Sequence, residues 1–262
     1  MKLRPWQVDA FTSKVFAGNP AAVVPLDAWL PDDTLRAIAA ENNLSETAFL
    51  VREPEGYRLR WFTPAIEVDL CGHATLAASY VLFRHLEPLL DRVVYQSRSG
   101  PLTVERDGDR LVLDFPEYRQ EPIEPSPALV EAIGMRPLET YLGIKLMAVL
   151  PDESAVRAAQ PDIEKVRALP GFGLILTAPG DHSDMASRYF VPQAGVAEDP
   201  VTGAAHCQLT PYWAARLGRN ALHARQVSAR GGELWVEHRV PRVRLAGHAV
   251  QYLEGTIEVA SA

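Results

Sequence analysis

Three short stretches hold residue types that could move a proton. Glu46 lies in Asn42-Asn43-Leu44-Ser45-Glu46-Thr47-Ala48-Phe49, directly ahead of an apolar, strand-like run. A carboxylate there can act as general acid and base at a cleft, or it can be a solvated loop residue, and spacing alone leaves both open. Cys71-Gly72-His73-Ala74-Thr75 opens an apolar segment, and its small residues let an anion approach the backbone N–H groups of a helix start. The plainer alternative is a tight turn whose histidine packs or caps. Glu198-Asp199-Pro200-Val201-Thr202-Gly203-Ala204-Ala205-His206 puts two acids ahead of a second helix start. Asp199 reads there either as an N-cap or as a site acid, with Pro200 near the first-turn position where its missing N–H is harmless. Phe16-Ala17-Gly18-Asn19-Pro20 reads as a turn, and Asn19 supplies an amide that bonds locally.

Other chemistries find no support in the residue pattern. Histidines and acids show no close ligand spacing, and no glycine-rich nucleotide loop is present, so neither a metal nor an organic cofactor is expected. A formal charge of −7 offers no basic footprint for nucleic acid. The same charge repels anions at long range, so an anion site has to be built from local dipoles and backbone donors. Two cysteines, Cys71 and Cys207, are too few for a disulfide scaffold. The N-terminal residues lack an apolar core of the signal-peptide kind, and no apolar run approaches the roughly 20 residues of a membrane span, so a cytoplasmic protein without a membrane partner is expected.

The elements that position these residues follow from length and periodicity. A chain of 262 residues, 47% hydrophobic and 23% charged, has enough apolar material for two domains. Leu35, Ile38 and Ala39 behind Pro31-Asp32-Asp33 predict an amphipathic helix from Asp32 to Asn43. Asp107-Gly108-Asp109 predicts a hairpin within Thr103 to Phe115, and Leu234 to Glu237 with Val243 to Leu245 predict a second ribbon. Residues 116–127 hold four prolines and no periodic pattern, which places the boundary there and gives halves 1–117 and 118–262.

Arg60-Trp61-Phe62-Thr63-Pro64 recurs as Arg188-Tyr189-Phe190-Val191-Pro192, an offset of 188 − 60 = 128. The gapless offset sets Cys71 on Asp199 and Thr75 on Gly203. Each copy reads as strand, proline, irregular approach and an apolar helix. The first helix is expected over Ala74 to His85, and the second starts near Gly203, with Pro211 bending or shortening it. Two buried helix starts facing one cleft would supply partial positive charge enough for about one carboxylate.

Together with Val8-Asp9-Ala10-Phe11-Thr12, these motifs resemble the PhzF-like (phenazine biosynthesis-like) family from residue 8 to past residue 206. The resemblance implies an α+β, diaminopimelate epimerase-like fold: two pseudo-symmetric domains, each with a mixed sheet wrapped around a central helix, and the active site between them. It implies a cofactor-independent isomerase, with Glu46 as acid and base, His73 and Asp199 in support, and a small anionic substrate held by Asn19, Ser45, Gly72, Gly203 and Ala204. It also implies a homodimer. Relatives in the same fold use two opposed cysteines; here Cys71 matches one, Pro200 stands where the other belongs, and a two-thiol racemase is disfavoured. Cys71 and Ala204 both depart from the phenazine-pathway enzyme, which speaks against phenazine synthesis itself. The alternatives are a catalytically silent small-molecule binder and an epimerase that uses Cys71.

Overall fold

Alternating strands with buried faces on one side and a helix of almost purely apolar and small residues on the other can close only if the sheet wraps the helix. The computed structural model, described for residues 1–54 and 56–259, does this twice. One unit comprises Met1–Asp114 and the segment from Ala246 onward; the other is Phe115–Leu245.

In the first unit, Trp6–Ala10 pairs antiparallel with Asn19–Leu26, which runs parallel to Glu46–Glu53. Glu46–Glu53 is antiparallel to Gly56–Phe62, which in turn is parallel to Arg92–Ser97 and antiparallel to the short Glu67–Val68. The hairpin expected around Gly108 joins Gly100–Asp107 to Arg110–Pro116, with Asp107 opposite Arg110. Gly108 takes φ +64, the left-handed conformation that such a tight turn needs and that glycine adopts without steric cost.

The central helix of this unit is Gly72–Val81, two residues earlier than the sequence pattern suggested. Leu82–Leu86 continues it as one wider π turn. Ala74, Leu76, Ala77, Ala78 and Val81 are fully buried, and the helix packs on Trp6–Ala10, Asn19–Leu26, Glu46–Glu53 and Ala249–Glu254. Each large apolar side chain so buried contributes about 1.5–3 kcal/mol, enough to offset the modest helix propensity of its Gly, Thr and Ser neighbours. On the sheet's other face lies the amphipathic helix Asp32–Asn42, ended by Asn43 in the left-handed conformation. Leu35, Ile38 and Ala39 pack there against Val24, Phe49, Val51 and Phe62. Strand alternation therefore turns Phe49 and Val51 toward that helix and Glu46, Ala48 and Leu50 toward the central one.

The second unit repeats the same sequence of pairings. Glu139–Leu142 is antiparallel to Leu146–Val149, which is parallel to Leu174–Ala178. The latter is antiparallel to Met185–Val191, itself parallel to Ala221–Gln226, which forms an antiparallel pair with Gly232–Arg239. Gly232–Arg239 also neighbours Arg242–Gly247, the expected ribbon. Short helices Pro127–Ile133, Glu153–Ala158 and Ile163–Arg167 supply Leu129, Val156 and Val166 to its core.

Both copies of the repeated motif do the same local work. Arg60 forks Glu67 through Nε and Nη2, each at 2.8 Å, and stacks over Phe62. Arg188 forks Glu198 at 2.7 and 2.9 Å and stacks over Phe190. Such bidentate, partly buried pairs tie the short approach strand to its neighbour.

Three expectations need correction. The helix starts lie at Gly72 and Gly203, an offset of 203 − 72 = 131 against 128 for the arginines, so the second approach is three residues longer. Thr202 rather than Asp199 stands where Cys71 stands, and Gly203 matches Gly72 rather than Thr75. Pro211 does not shorten the second helix, which runs Gly203–Leu217. Proline removes the donor that the Cys207 carbonyl would receive, and the Tyr118 N–H takes that carbonyl at 3.0 Å instead. Residues from 246 onward were expected in the second half but belong to the first unit, because Ala249–Glu254 pairs antiparallel with Trp6–Ala10. Among the described residues no helix is long and apolar enough to cross a membrane.

Candidate active site

Glu46 is the first residue of its strand, opposite Ala21 of the parallel neighbour, and His73 is the second residue of the central helix. The topology thus sets the start of one strand against the start of one helix. His73 Nε2 lies 3.1 Å from Glu46 Oε2, with the imidazole 5% and the carboxylate 18% exposed. Neither atom makes a hydrogen bond of ordinary geometry, although both are buried. The two groups are close enough for strong electrostatic coupling and too bent for a linear bond, so both keep hydrogen-bonding capacity in hand.

The other ring nitrogen is held from two sides. Nδ1 of His73 lies 3.2 Å from Asn19 Nδ2 and 3.5 Å from Cys71 Sγ. With the ring neutral, an Asn19 amide donating to Nδ1 places the ring proton on Nε2, facing Glu46; with the ring charged both nitrogens donate, and the amide turns its oxygen toward Nδ1. Asn19 is delivered by a strained loop: Phe11 and Phe16 adopt φ 61° and 70°, a region that costs an L-residue roughly 1–2 kcal/mol. Asp9 braces the loop by accepting the Phe16 N–H at 2.9 Å.

Electrostatics separates the three titratable groups. Burial disfavours the His73 imidazolium, but the negative charge of Cys71 and Glu46 outweighs it, and the His73 pKa is held well above the ordinary value. Burial, reinforced by Glu46, pushes the Cys71 thiol up to about 11. Near neutral pH this favours a neutral thiol, so the raising effect of a Cys71 thiolate on His73 is not in play there.

Sequence spacing gave no sign of a metal, yet Glu46, Cys71 and His73 each offer a ligand atom within 4.8 Å of the others. Their arrangement fits a cation poorly. Cys71 approaches Nδ1 and Glu46 approaches Nε2, on opposite edges of one ring, whereas a metal bound at 2.0–2.3 Å would need one nitrogen to face both partners. The geometry is that of a relay, Cys71–His73–Glu46.

Gly72 is buried in the first turn of the helix behind Cys71, whose extended backbone forms the N-cap without a side-chain cap bond. Ser45 is half-buried in the bend before Glu46. In the second unit Asp199 ends the strand Val196–Asp199, three residues ahead of the Thr202 N-cap, so the capping alternative for Asp199 is corrected, and Pro200 lies outside the first turn. Its carboxylate accepts the Thr202 hydroxyl. Gln226, which sequence reasoning missed, fixes this turn by donating to the Asp199 carbonyl at 2.6 Å and accepting the Thr202 N–H at 2.9 Å. Gly203 is buried and Ala204 half-buried at the helix start. Lys145 was also missed: it is buried, its ammonium lies 5.4 Å from the centres of both the Tyr118 and Tyr189 rings, and burial lowers its pKa. A lone lysine after Gly143-Ile144 gave no sequence signal.

The sequence pattern of the family described as phenazine biosynthesis-like protein matches residues 8–255. The chain belongs to the phenazine biosynthesis-like (PhzF) family. An uncharacterized isomerase of Pseudomonas aeruginosa is 52% identical over 260 residues, covering 99% of this chain and all of that one. A PhzF-family crystal structure from Enterococcus faecalis superposes with a TM-score of 0.97 at 46% identity, over 99% of this chain and all of the other. A hydroxyproline epimerase from Agrobacterium vitis shares the fold alone, at 10% identity and a TM-score of 0.62 over 98% and 92% of the two chains. The protein is thus an isomerase-like member of the PhzF family with an α+β, epimerase-like fold.

Proposed function

We propose that this PhzF-family protein is a cofactor-independent isomerase that shifts a proton on a small carboxylate-bearing substrate, with Glu46 taking and returning the proton. The observation that carries the reading is the Glu46–His73 pair, 3.1 Å apart, buried, and with unmet hydrogen-bonding capacity on both facing atoms. Buried polar atoms are ordinarily satisfied, and exceptions cluster where a reacting group has still to arrive. In this reading a carbon acid gives its proton to a Glu46 oxygen, and the same carboxyl returns it to another carbon on that face. Asn19 and Cys71 fix the ring, and Ser45 and Gly72 line the approach; Asp199, Gly203 and Ala204 form the corresponding turn of the second unit. A thiol raised to about 11 is a poor base near neutral pH, which speaks against an epimerase built on Cys71.

The test is proton exchange. Candidate amino- and hydroxycarboxylates incubated with the protein in D2O are expected to take up deuterium at carbon, followed by NMR. Glu46→Gln is expected to slow the exchange by about two orders of magnitude or more with ligand affinity nearly kept. Binding without exchange would leave a silent binding protein, and an unaffected Glu46→Gln would remove Glu46 from the chemistry.

A further inference from the structure

The sheet face of the first unit that carries Phe49 and Val51 packs against the helix Asp32–Asn42 and against Trp29 and Leu30 ahead of it. Beside that helix lies a cavity of about 290 Å3 lined by Trp29, Arg58, Leu59, Arg60, Ser97 and Arg98. Strand alternation turns Arg58 and Arg60 away from the central helix, so this cavity and the Glu46–His73 pair lie on opposite faces of the sheet. Three guanidinium groups line it, and among the described residues no carboxylate does.

The acids that pair with these arginines engage only part of each fork. Arg58 meets Glu53 through Nε at 3.1 Å. Arg98 meets Glu67 through Nη2 at 2.8 Å and leaves Nη1 3.8 Å from Asp69. Arg60 uses Nε and Nη2 for Glu67 and Nη2 for Asp32, and stacks 5.1 Å from the centre of the Trp29 ring. Among the described residues its Nη1 has no hydrogen-bond acceptor.

The internal repeat shows what a purely structural arginine does at this position. Arg188, the counterpart of Arg60, spends Nη1 on the carbonyls of Val156, Arg157 and Ala159, at 3.2, 3.3 and 2.7 Å. Those carbonyls belong to the end of the helix Glu153–Ala158. At Arg60 the open cavity stands in their place. Three guanidinium groups, each tied to its acids through only part of its fork, keep N–H donors for a further acceptor, and guanidinium forks match phosphate oxygens in geometry as well as charge. Donors converging from three directions suit an anion with three terminal oxygens better than a flat carboxylate with two. The volume is at the small end of ligand pockets.

We propose that this cavity binds the phosphate monoester group of a small molecule, with Arg58 and Arg98 closing on the phosphate, Arg60 Nη1 donating from the sheet, and the organic part resting against Trp29. Calorimetric titration of the whole protein with phenyl phosphate tests this, with benzoate as the carboxylate counterpart. Saturable one-to-one binding is expected, weakened at least about tenfold in the double variant Arg58→Gln, Arg98→Gln, and unchanged in Glu46→Gln. Arg58 and Arg98 side chains are 53% and 55% exposed, so the double variant is expected to melt as the parent does. No saturation, an undiminished affinity in the double variant, or benzoate binding as tightly as phenyl phosphate would each overturn the proposal. Loss of affinity in Glu46→Gln would overturn it too, because binding would then belong to the Glu46 site.

Discussion

His206 is buried in the first turns of the second central helix, and its protonation should be read out directly in stability. Nδ1 donates to the Thr202 carbonyl at 2.8 Å, while Nε2 is buried without a partner. Burial disfavours the imidazolium and pushes the pKa from 6.5 down to about 4, against a small opposing effect of the Thr202 carbonyl. The folded-state pKa is depressed, so the unfolded chain binds the proton first as pH falls. Stability is therefore full above 6.5 and is lost between 6.5 and 4, levelling off below. Over the whole window the loss is about 3 kcal/mol, and between pH 7 and pH 5 it is about 2 kcal/mol. His206→Asn isolates this effect, since the Asn carboxamide nitrogen takes the place of Nδ1 and keeps the Thr202 bond but carries no titratable proton. Urea unfolding of parent and variant, followed by tryptophan fluorescence at pH 7, 6 and 5, should show the parent's advantage shrinking by about 2 kcal/mol as pH falls. Parallel pH profiles would refute the assignment of a neutral, buried His206.

Cys71, with its thiol at about 11, should react with iodoacetamide at pH 7 at least about a hundredfold more slowly than a free cysteine, as seen by mass spectrometry; denatured protein should lose that protection. Gly18→Ala should destabilise by about 1–3 kcal/mol in thermal melts and slow any proton exchange, because a Cβ at φ +65 collides with the Ala10 carbonyl oxygen beside Asn19. Trp213→Phe should cost about 1–2 kcal/mol by leaving the buried Thr177 hydroxyl without the indole donor now 3.0 Å away. Light scattering should give twice the chain mass if the protein is the homodimer that its family resemblance suggests.

What could be read from the sequence was local. The helix Asp32–Asn42 carries its start and stop signals within itself, and the hairpin at Gly108 needs only its turn chemistry. The repeat of Arg60-Trp61-Phe62 in Arg188-Tyr189-Phe190 was visible because the arginine, the aromatic and the distant carboxylate act as one unit in each copy. What stayed hidden depends on partners far along the chain. Pro211 reads as a residue that shortens its helix because the Tyr118 N–H that satisfies Cys207 is about ninety residues away. The Cys71–His73–Glu46 relay escaped ligand-spacing arguments since Glu46 reaches His73 only through the pairing of its strand with Asn19–Leu26. Asp199 looked like a cap because nothing in its neighbourhood announced the three extra residues before Gly203.

The pairing of Ala249–Glu254 with Trp6–Ala10 gives the two units different folding problems. The Phe115–Leu245 unit draws its strands from one continuous stretch, whereas the first unit has to bring Ala10 and Ala249 side by side across the whole of that stretch. Contacts between residues so far apart in sequence are slow to form, so the wall around the first central helix is the part of the fold whose completion depends most on a distant partner.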